Sequence, residues 1–315
     1  MLRFALQRLA LAVPTLLVIS AITFFMGLLA PGDPVEIVLG QHADPAAKAR
    51  VRHELGLDRH PLVQYGAFLA GALRGDLGVS YVTRRPVTEI LLEGLPNTAL
   101  LAVTAMGIAV LAGVVLGVLA AVNQGRWLDR ICTLAALAGV SVPTFVLGPL
   151  LIFFFALKLG WLPVAGWGGP QYVILPALVL AGRPAAMIAR LTRAQMVEVL
   201  RQDYIRTARA KGLSEWQVII RHALRNALLP VVTVAGTSLG YLLSGSFVVE
   251  SIFTVPGIGA ASVESIFRRD YPVIQGTTLV MAVGFVVVNL AVDLLYARLD
   301  PRVYRPDGAA APASG

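Results

Sequence analysis

The sequence is poor in the residues that most chemistry needs. It has one cysteine, Cys132, and three lysines among 315 residues, and only 14% of the chain is charged. A single cysteine excludes an intrachain disulfide and any cysteine-cluster metal site, and Cys132 reads as a small buried hydrophobe. The lysines, Lys48, Lys158 and Lys211, are followed by Ala, Leu and Gly. The Gly-Lys-Ser/Thr that closes a P-loop is therefore missing, and any ATP-driven work has to be powered by another subunit. Four histidines (His42, His53, His60, His222) are scattered, three of them in one polar segment, and supply no metal-ligand set. No nucleophile–base constellation supports hydrolase chemistry. No internal repeat argues for a carrier built from two similar halves. Strands of about ten alternating residues, which a membrane barrel requires, are absent as well.

What is present is apolar. Hydrophobic residues make up 57% of the chain, and the mean hydropathy is +0.75. A soluble domain is about a quarter charged. Runs of about 20 apolar residues recur, each able to cross a hydrocarbon core about 30 Å thick. The expected class is an all-α polytopic membrane protein with six spans, near 9–30, 98–122, 133–157, 172–191, 228–249 and 273–297. The first run follows Arg3 and Arg8 like a signal peptide, but it is too long, and Pro31 would follow a cut after Ala30. It reads as a retained anchor. Glu250 and Asp293 lie at or near span ends, which weakens a proton-coupled carrier with mid-span carboxylates.

The formal charge of +8 does not call for nucleic acid, because arginines in membrane proteins mark cytoplasmic loops. With the N-terminus inside, fifteen Lys and Arg face inward: Arg3 and Arg8, Arg126 and Arg130, eight from Arg190 to Arg225, and three in the tail. Only three (Lys158, Arg268, Arg269) lie in short outer loops. Both termini are expected on the cytoplasmic side. The chain divides into an end and first span (1–30), an extracytoplasmic helical segment (31–95), a five-span core (96–300) and a tail (301–315) whose "RPDGAAAPASG" suits disorder. In the outer segment, Asp44-Pro45 predicts a capped helix that stops at Gly56. A second helix from Pro61 to Gly75 gathers Leu62, Tyr65, Phe68, Leu69 and Leu73 on one face.

The densest positive charge sits in "DYIRTARAKGLSEWQVIIRHALRNALLPVV", residues 203–232, with Arg206, Arg209, Lys211, Arg221, His222 and Arg225. Asp203 can cap a helix to Ala210, and Lys211-Gly212 breaks it. Ser214 with Gln217 forms an S-x-x-Q capping box that restarts the helix. Trp216, Ile219, Ile220 and Leu224 then line one side, and Gln217, Arg221 and Arg225 the other. Such a helix–glycine–helix either rests on anionic lipid or docks a cytoplasmic partner. The residues alone leave both open.

The same stretch resembles the cytoplasmic loop signature of bacterial ABC-importer permeases, in the branch that carries dipeptides, oligopeptides and nickel. "PGDPVEIVLG", "LGLDRHPLVQY", "GDLGVSY", "SGSFVVESIFTVPGIG" and "LLYARLDPRVY" extend the resemblance over nearly the whole chain, closest to a dipeptide permease B-type subunit. Arg206-Thr207-Ala208 replace the general Glu-Ala-Ala, and the segment 212–230 is longer than in sugar-importer permeases; both departures resemble the peptide branch. The resemblance implies a type I importer permease fold in the bacterial inner membrane. It implies a coupling loop (196–227) in which Tyr204, Arg206, Thr207, Ala208, Ala210, Lys211, Gly212, Leu213 and Ser214 enter a cleft on an ATP-binding subunit. The implied partners are a second, homologous permease, two such ATPases, an extracytoplasmic substrate-binding protein and the lipid bilayer. This chain would bind no cofactor, since ATP and Mg belong to the ATPases.

Candidate pathway residues follow from their depth. Arg183 interrupts the fourth span beside Pro184, at a cost of at least about 2.5 kcal/mol unless it finds water or a partner. It could meet a peptide's C-terminal carboxylate, or pair with another helix. Ser141, Thr144, Thr233, Thr237, Ser238 and Asn289 could line a polar route, although such side chains more often bond to helix backbone. "ESIFTVPGIGA" either re-enters the membrane edge or is an ordinary loop. A dipeptide or short oligopeptide is the expected cargo; nickel chelates, glutathione-like conjugates and opines are the alternatives within the branch. A stand-alone secondary carrier is the competing class.

Overall fold

The structure, a computed structural model, describes residues 2–29, 33–40 and 42–299; the tail expectation for 301–315 lies outside them. Helix α1 (Leu2–Leu29) is a single rod with Pro14 inside it. The segment expected to lie outside the membrane follows as α2 (Pro34–Leu39), α3 (Pro45–Glu54) and α4 (Pro61–Leu73). The two longer helices stop just ahead of Gly56 and Gly75, as the sequence suggests. The expected cap at Asp44 is absent, because its side chain makes no bond to the helix. Asp33 and His60 instead cap α2 and α4, accepting from Val35 N (3.0 Å) and Leu62 N (3.3 Å). Of the apolar face expected on α4, Tyr65 and Phe68 stack on Phe24 of α1 with centroids 5.4 and 5.9 Å apart. Leu62 and Leu73 remain 64% and 91% exposed.

The core begins with α5 (Val87–Val122), which starts well before the expected 98. The third span is not one rod. It is α6 (Trp127–Ser141), then α7 (Thr144–Leu151) running into a π-helical stretch (Ile152–Lys158), bent by 107° at the junction. The cause is local. Pro143 has no N–H to give, and its ring holds Val142 in the extended region, at φ −86° and ψ 118°. Helix α8 (Pro170–Val199) descends to α9 (Asp203–Ala210) and α10 (Glu215–Gln217). A second π-helical stretch (Val218–Leu224) leads straight into α11 (Arg225–Gly245). The second loop helix and the fifth span, expected as separate elements around Pro230, are thus one continuous rod with Pro230 inside it. Helices α12 (Phe247–Ile252) and α13 (Ile258–Arg268) form a turn before α14 (Tyr271–Leu299). Among the described residues, five helices are long and apolar enough to span a bilayer, and the bent pair, taken as one span, makes a sixth.

The centre of the bundle is the crossing of α5 with α8. Lipid tails are as apolar as leucine, so helices in a bilayer associate through close packing rather than expulsion of water. Ala102, Ala105, Ala109, Gly113 and Gly117 form a small-residue stripe buried along α5. A Cβ on Gly113 would stand 2.7 Å from the carbonyl oxygen of Ala185, and one on Gly117 would stand 2.5 Å from Thr192 Cβ. At a neighbouring crossing, a Cβ on Gly139 of α6 would lie 2.7 Å from the Gly182 carbonyl oxygen of α8. Such approach is open only to residues without side chains. Gly117→Leu should therefore overpack the crossing at a cost of about 1–3 kcal/mol or more. A lowered thermal midpoint in detergent would register it, and Gly107→Leu, where nothing lies within 4 Å, should leave the midpoint unchanged.

Candidate functional site

The charged loop is built as a rigid knob. Thr207 O accepts from Lys211 N (3.0 Å) and Arg209 O from Gly212 N (2.9 Å), closing α9. Gly212 sits at φ +79° with open space around its Cβ position. Its requirement is conformational, since a left-handed residue with a side chain costs about 1–2 kcal/mol. The predicted capping box forms in both directions: Gln217 N to Ser214 Oγ at 3.4 Å, and Ser214 N to Gln217 Oε1 at 3.3 Å. Arg209 spans the turn to hold Glu215 with two bonds of 2.8 and 3.2 Å. This contact raises the guanidinium's pKa above its already high value. Asn226 donates to Tyr204 Oη at 2.9 Å, tying α9 to the start of α11.

The knob is seated on the bundle. Ile205 and Ala208 are buried with Met196 of α8, Ala121 of α5, and Val218, Ala223 and Ala227. The expected apolar side of the second helix is half corrected here: Ile219 and Leu224 pack against this cluster, but Trp216 and Ile220 are 72% and 37% exposed. The wide π turns explain the shift, because i→i+5 bonding replaces the α-helical repeat and places Val218, Ala223 and Ala227 on the buried side. Of the residues assigned to coupling, Tyr204, Arg206, Thr207, Ala210, Lys211, Gly212 and Ser214 are exposed, Leu213 is half-buried, and Ala208 faces inward. Sequence reasoning missed Ile205 as the anchor and the Tyr204–Asn226 tie.

The expected pathway residues do not gather at one place. Arg183 is exposed on α8, with no ion pair among the described residues. Ser141 bonds to Leu137 O (2.9 Å), Thr237 to Thr233 O and Val234 O (3.2 and 3.1 Å), and Asn289 to Phe285 O (3.0 Å), each within its own helix. Thr144 is half-buried at the start of α7. Arg183 and Ser141 flank the Gly139–Gly182 approach, whereas Asn289 lies beside Gly240 of α11, 3.7 Å from its Cβ position.

At the other end of α5 lies a site that the sequence only hinted at. Glu250 of α12 is fully buried, and its carboxylate accepts three hydrogen bonds. Thr98 and Ser246 donate hydroxyls at 2.9 and 2.5 Å, and Ala260 donates its N–H at 2.9 Å. Thr98 in turn accepts from Ile258 N at 3.0 Å. The "VPGIGA" run wraps this carboxylate so closely that a Cβ on Gly257 would fall 2.3 Å from Oε2. Asn97 joins the turn at Pro256 O (2.8 Å) and is held by Trp167 Nε1 (3.0 Å). The segment is therefore a tightly folded turn rather than an ordinary loop. The pointer in the sequence was a glutamate preceding a Pro-Gly-x-Gly. Nearby, Asp270 accepts from Ser80 Oγ (2.5 Å) and Tyr81 N (3.0 Å), pinning the outer segment to α14. Burial, helped by that carboxylate, pushes the Tyr81 phenol up to about 12.

Long apolar helices, a seated polar knob and a sealed turn, the last two separated along α5 by about one bilayer thickness, define a class: a multi-span helical membrane protein. Its kinship is direct. A family model, "Binding-protein-dependent transport system inner membrane component", matches residues 113–305, and the N-terminal model for the same systems matches 1–102. The chain belongs to this family and is a permease subunit of a bacterial ABC importer of the inner membrane. It is 44% identical to the glutathione transport system permease protein GsiC of Escherichia coli (strain K12) over 303 residues, 96% of this chain and 99% of that one. The GsiC of Salmonella typhimurium (strain LT2) is 45% identical over the same length. Among solved structures, the inward-facing MetNI methionine ABC transporter matches with a TM-score of 0.57 at 21% identity, over 67% of this chain and 96% of that one. That likeness supports the type I importer permease fold.

Glu250→Ala should leave the buried Thr98 and Ser246 hydroxyls without this partner, at about 1–3 kcal/mol each, and release the half-buried Ala260 N–H. Thermal unfolding of the purified protein should drop sharply for Glu250→Ala and less for Glu250→Gln, which keeps one acceptor oxygen; equal midpoints for all three proteins would refute the role given to the carboxylate.

Proposed function

We propose that this chain forms half of the translocation pathway of an ATP-driven importer of short peptides, with glutathione as the first cargo to test. The proposal extends to its partners: a second, homologous permease, two cytoplasmic ATP-binding subunits and an extracytoplasmic binding protein. ATP and Mg would reside on the ATPases, and this chain would act without a cofactor or enzymatic activity of its own. The loop and both termini lie on the cytoplasmic side in this reading, as the excess of arginine there favours.

One observation carries the reading. Ile205 and Ala208 fix the knob to the ends of α5 and α8, while Tyr204, Arg206, Lys211 and Ser214 stay exposed. A loop that only rested on lipid would turn all its apolar residues outward; this one buries Ile205, Ala208, Val218 and Ala223 in the bundle, keeps Trp216 and Ile220 exposed, and offers polar groups to a partner. Force applied to such a knob reaches α8 and the continuous α10–α11 rod directly. The cargo class rests on the substrate of the 44–45% identical relatives. No group of three metal-ligating side chains occurs among the described residues, so nothing favours a free nickel cage.

Gly212→Val places a branched side chain at φ +79° and should abolish ATP-driven uptake while the protein still accumulates in the membrane. Undiminished uptake would return the loop to the lipid surface. Arg183→Gln tests the pathway assignment. Transport of carboxylate-bearing peptides should fall several-fold with assembly intact, and unchanged transport removes Arg183 from the route.

A further inference from the structure

At the loop end of the bundle, a second cluster of charge has no part in the coupling knob. Asp129, in the first turn of α6, is buried and holds Arg193 of α8 with two bonds of 2.7 Å. Gly125 N adds a third bond at 2.9 Å. This pair is neutral and complete. It forms the floor of an open cleft of about 640 Å³ between α6 and α8, rimmed by Arg130, Thr133, Leu134 and Arg190. Arg130 and Arg190 are both exposed, and neither has an acidic partner among the described residues. Two guanidinium groups facing one cleft repel each other unless an anion lies between them.

We propose that this cleft binds the phosphate of an anionic phospholipid, phosphatidylglycerol or cardiolipin, with Arg130 and Arg190 as its ligands. The planar guanidinium suits a phosphodiester because it donates two parallel bonds. The surroundings select a lipid over a soluble anion. Trp127, one turn before Arg130, is 70% exposed, and exposed tryptophan marks the headgroup level of a bilayer. From there Ile131, Leu134 and Leu137 run along α6, 51%, 63% and 53% exposed. They give an acyl chain a continuous apolar track leading from the cleft. A basic pocket between spans on the cytoplasmic side is where such headgroups bind. Because the floor is the Asp129–Arg193 pair, a lipid seated here would brace α6 against α8 just where α8 leads into the knob.

The test uses the assembled transporter purified in mild detergent, analysed by native mass spectrometry. The wild type should retain phosphatidylglycerol or cardiolipin in preference to phosphatidylethanolamine. The double variant Arg130→Gln/Arg190→Gln should lower that retention by about tenfold or more. Arg130→Lys/Arg190→Lys, which keeps both charges, should hold an intermediate amount and controls for folding. Excess inorganic phosphate should not displace the lipid. The proposal is overturned if the wild type retains no phospholipid or retains the zwitterionic lipid equally, comparisons that need no variant. It is also overturned if the Gln variant keeps its anionic lipid, or if phosphate displaces it, which would make this a soluble-anion site. A cross-link from Leu134→Cys to the second permease would show the cleft covered by protein and overturn it as well.

Discussion

The close approach of α5 and α8 is the constraint on which the other features rest. Gly113 and Gly117 let the two backbones come within a distance that any side chain would prevent, and no water-driven force is available in lipid to replace that packing. Both sites identified here are built on the ends of this pair. Thr98, toward the N-terminal end of α5, holds Glu250 and the turn around it. Ala121, near its other end, packs with Met196 of α8 and Ile205 of the knob. The two positions are about 34 Å apart along the helix, at 1.5 Å per residue, close to the thickness of a hydrocarbon core. One rigid element therefore carries the polar machinery of both membrane surfaces.

The loop's positive charge is divided among different tasks. Arg209 is committed to Glu215 and Arg206 to Asp203, so these two are paired within the knob. Lys211, Arg221 and Arg225 are exposed and remain available to an acidic surface or to lipid phosphate. Surface ion pairs contribute little stability on their own, and the knob does not depend on them. Its burial of Ile205, Ala208, Val218 and Ala223 does most of the holding, while the arginines set its side of the membrane and its complementarity.

Much of this was legible in the sequence. The spans follow from apolar length, and the knob follows from Gly212 and the Ser214–Gln217 box, because these devices are local and act within a turn of helix. Asp203, expected as a cap, lies instead in the first turn of α9 and holds Arg206, with Gln202 at the N-cap. Devices that depend on a partner elsewhere in the chain were less visible. The third span was expected unbroken from 133 to 157, because a bend of 107° at Pro143 needs neighbours to receive α7. The π-helical stretch turned Val218 inward and left Trp216 and Ile220 exposed, which an α-helical repeat does not anticipate, while Ile219 and Leu224 stayed packed as that repeat suggests. Glu250 read as a carboxylate near a span end; its role depends on Thr98, far away in sequence. Arg183 and the pathway hydroxyls were chosen for depth alone, and depth did not bring them together.

The central claim is that the knob exists for an ATP-binding partner. The most direct test is purification of the intact chain from its own host in mild detergent, with identification by mass of what accompanies it. Two P-loop ATPases and a second six-span protein in the same particle are the predicted result. A chain that purifies alone and transports in liposomes without ATP would contradict the account.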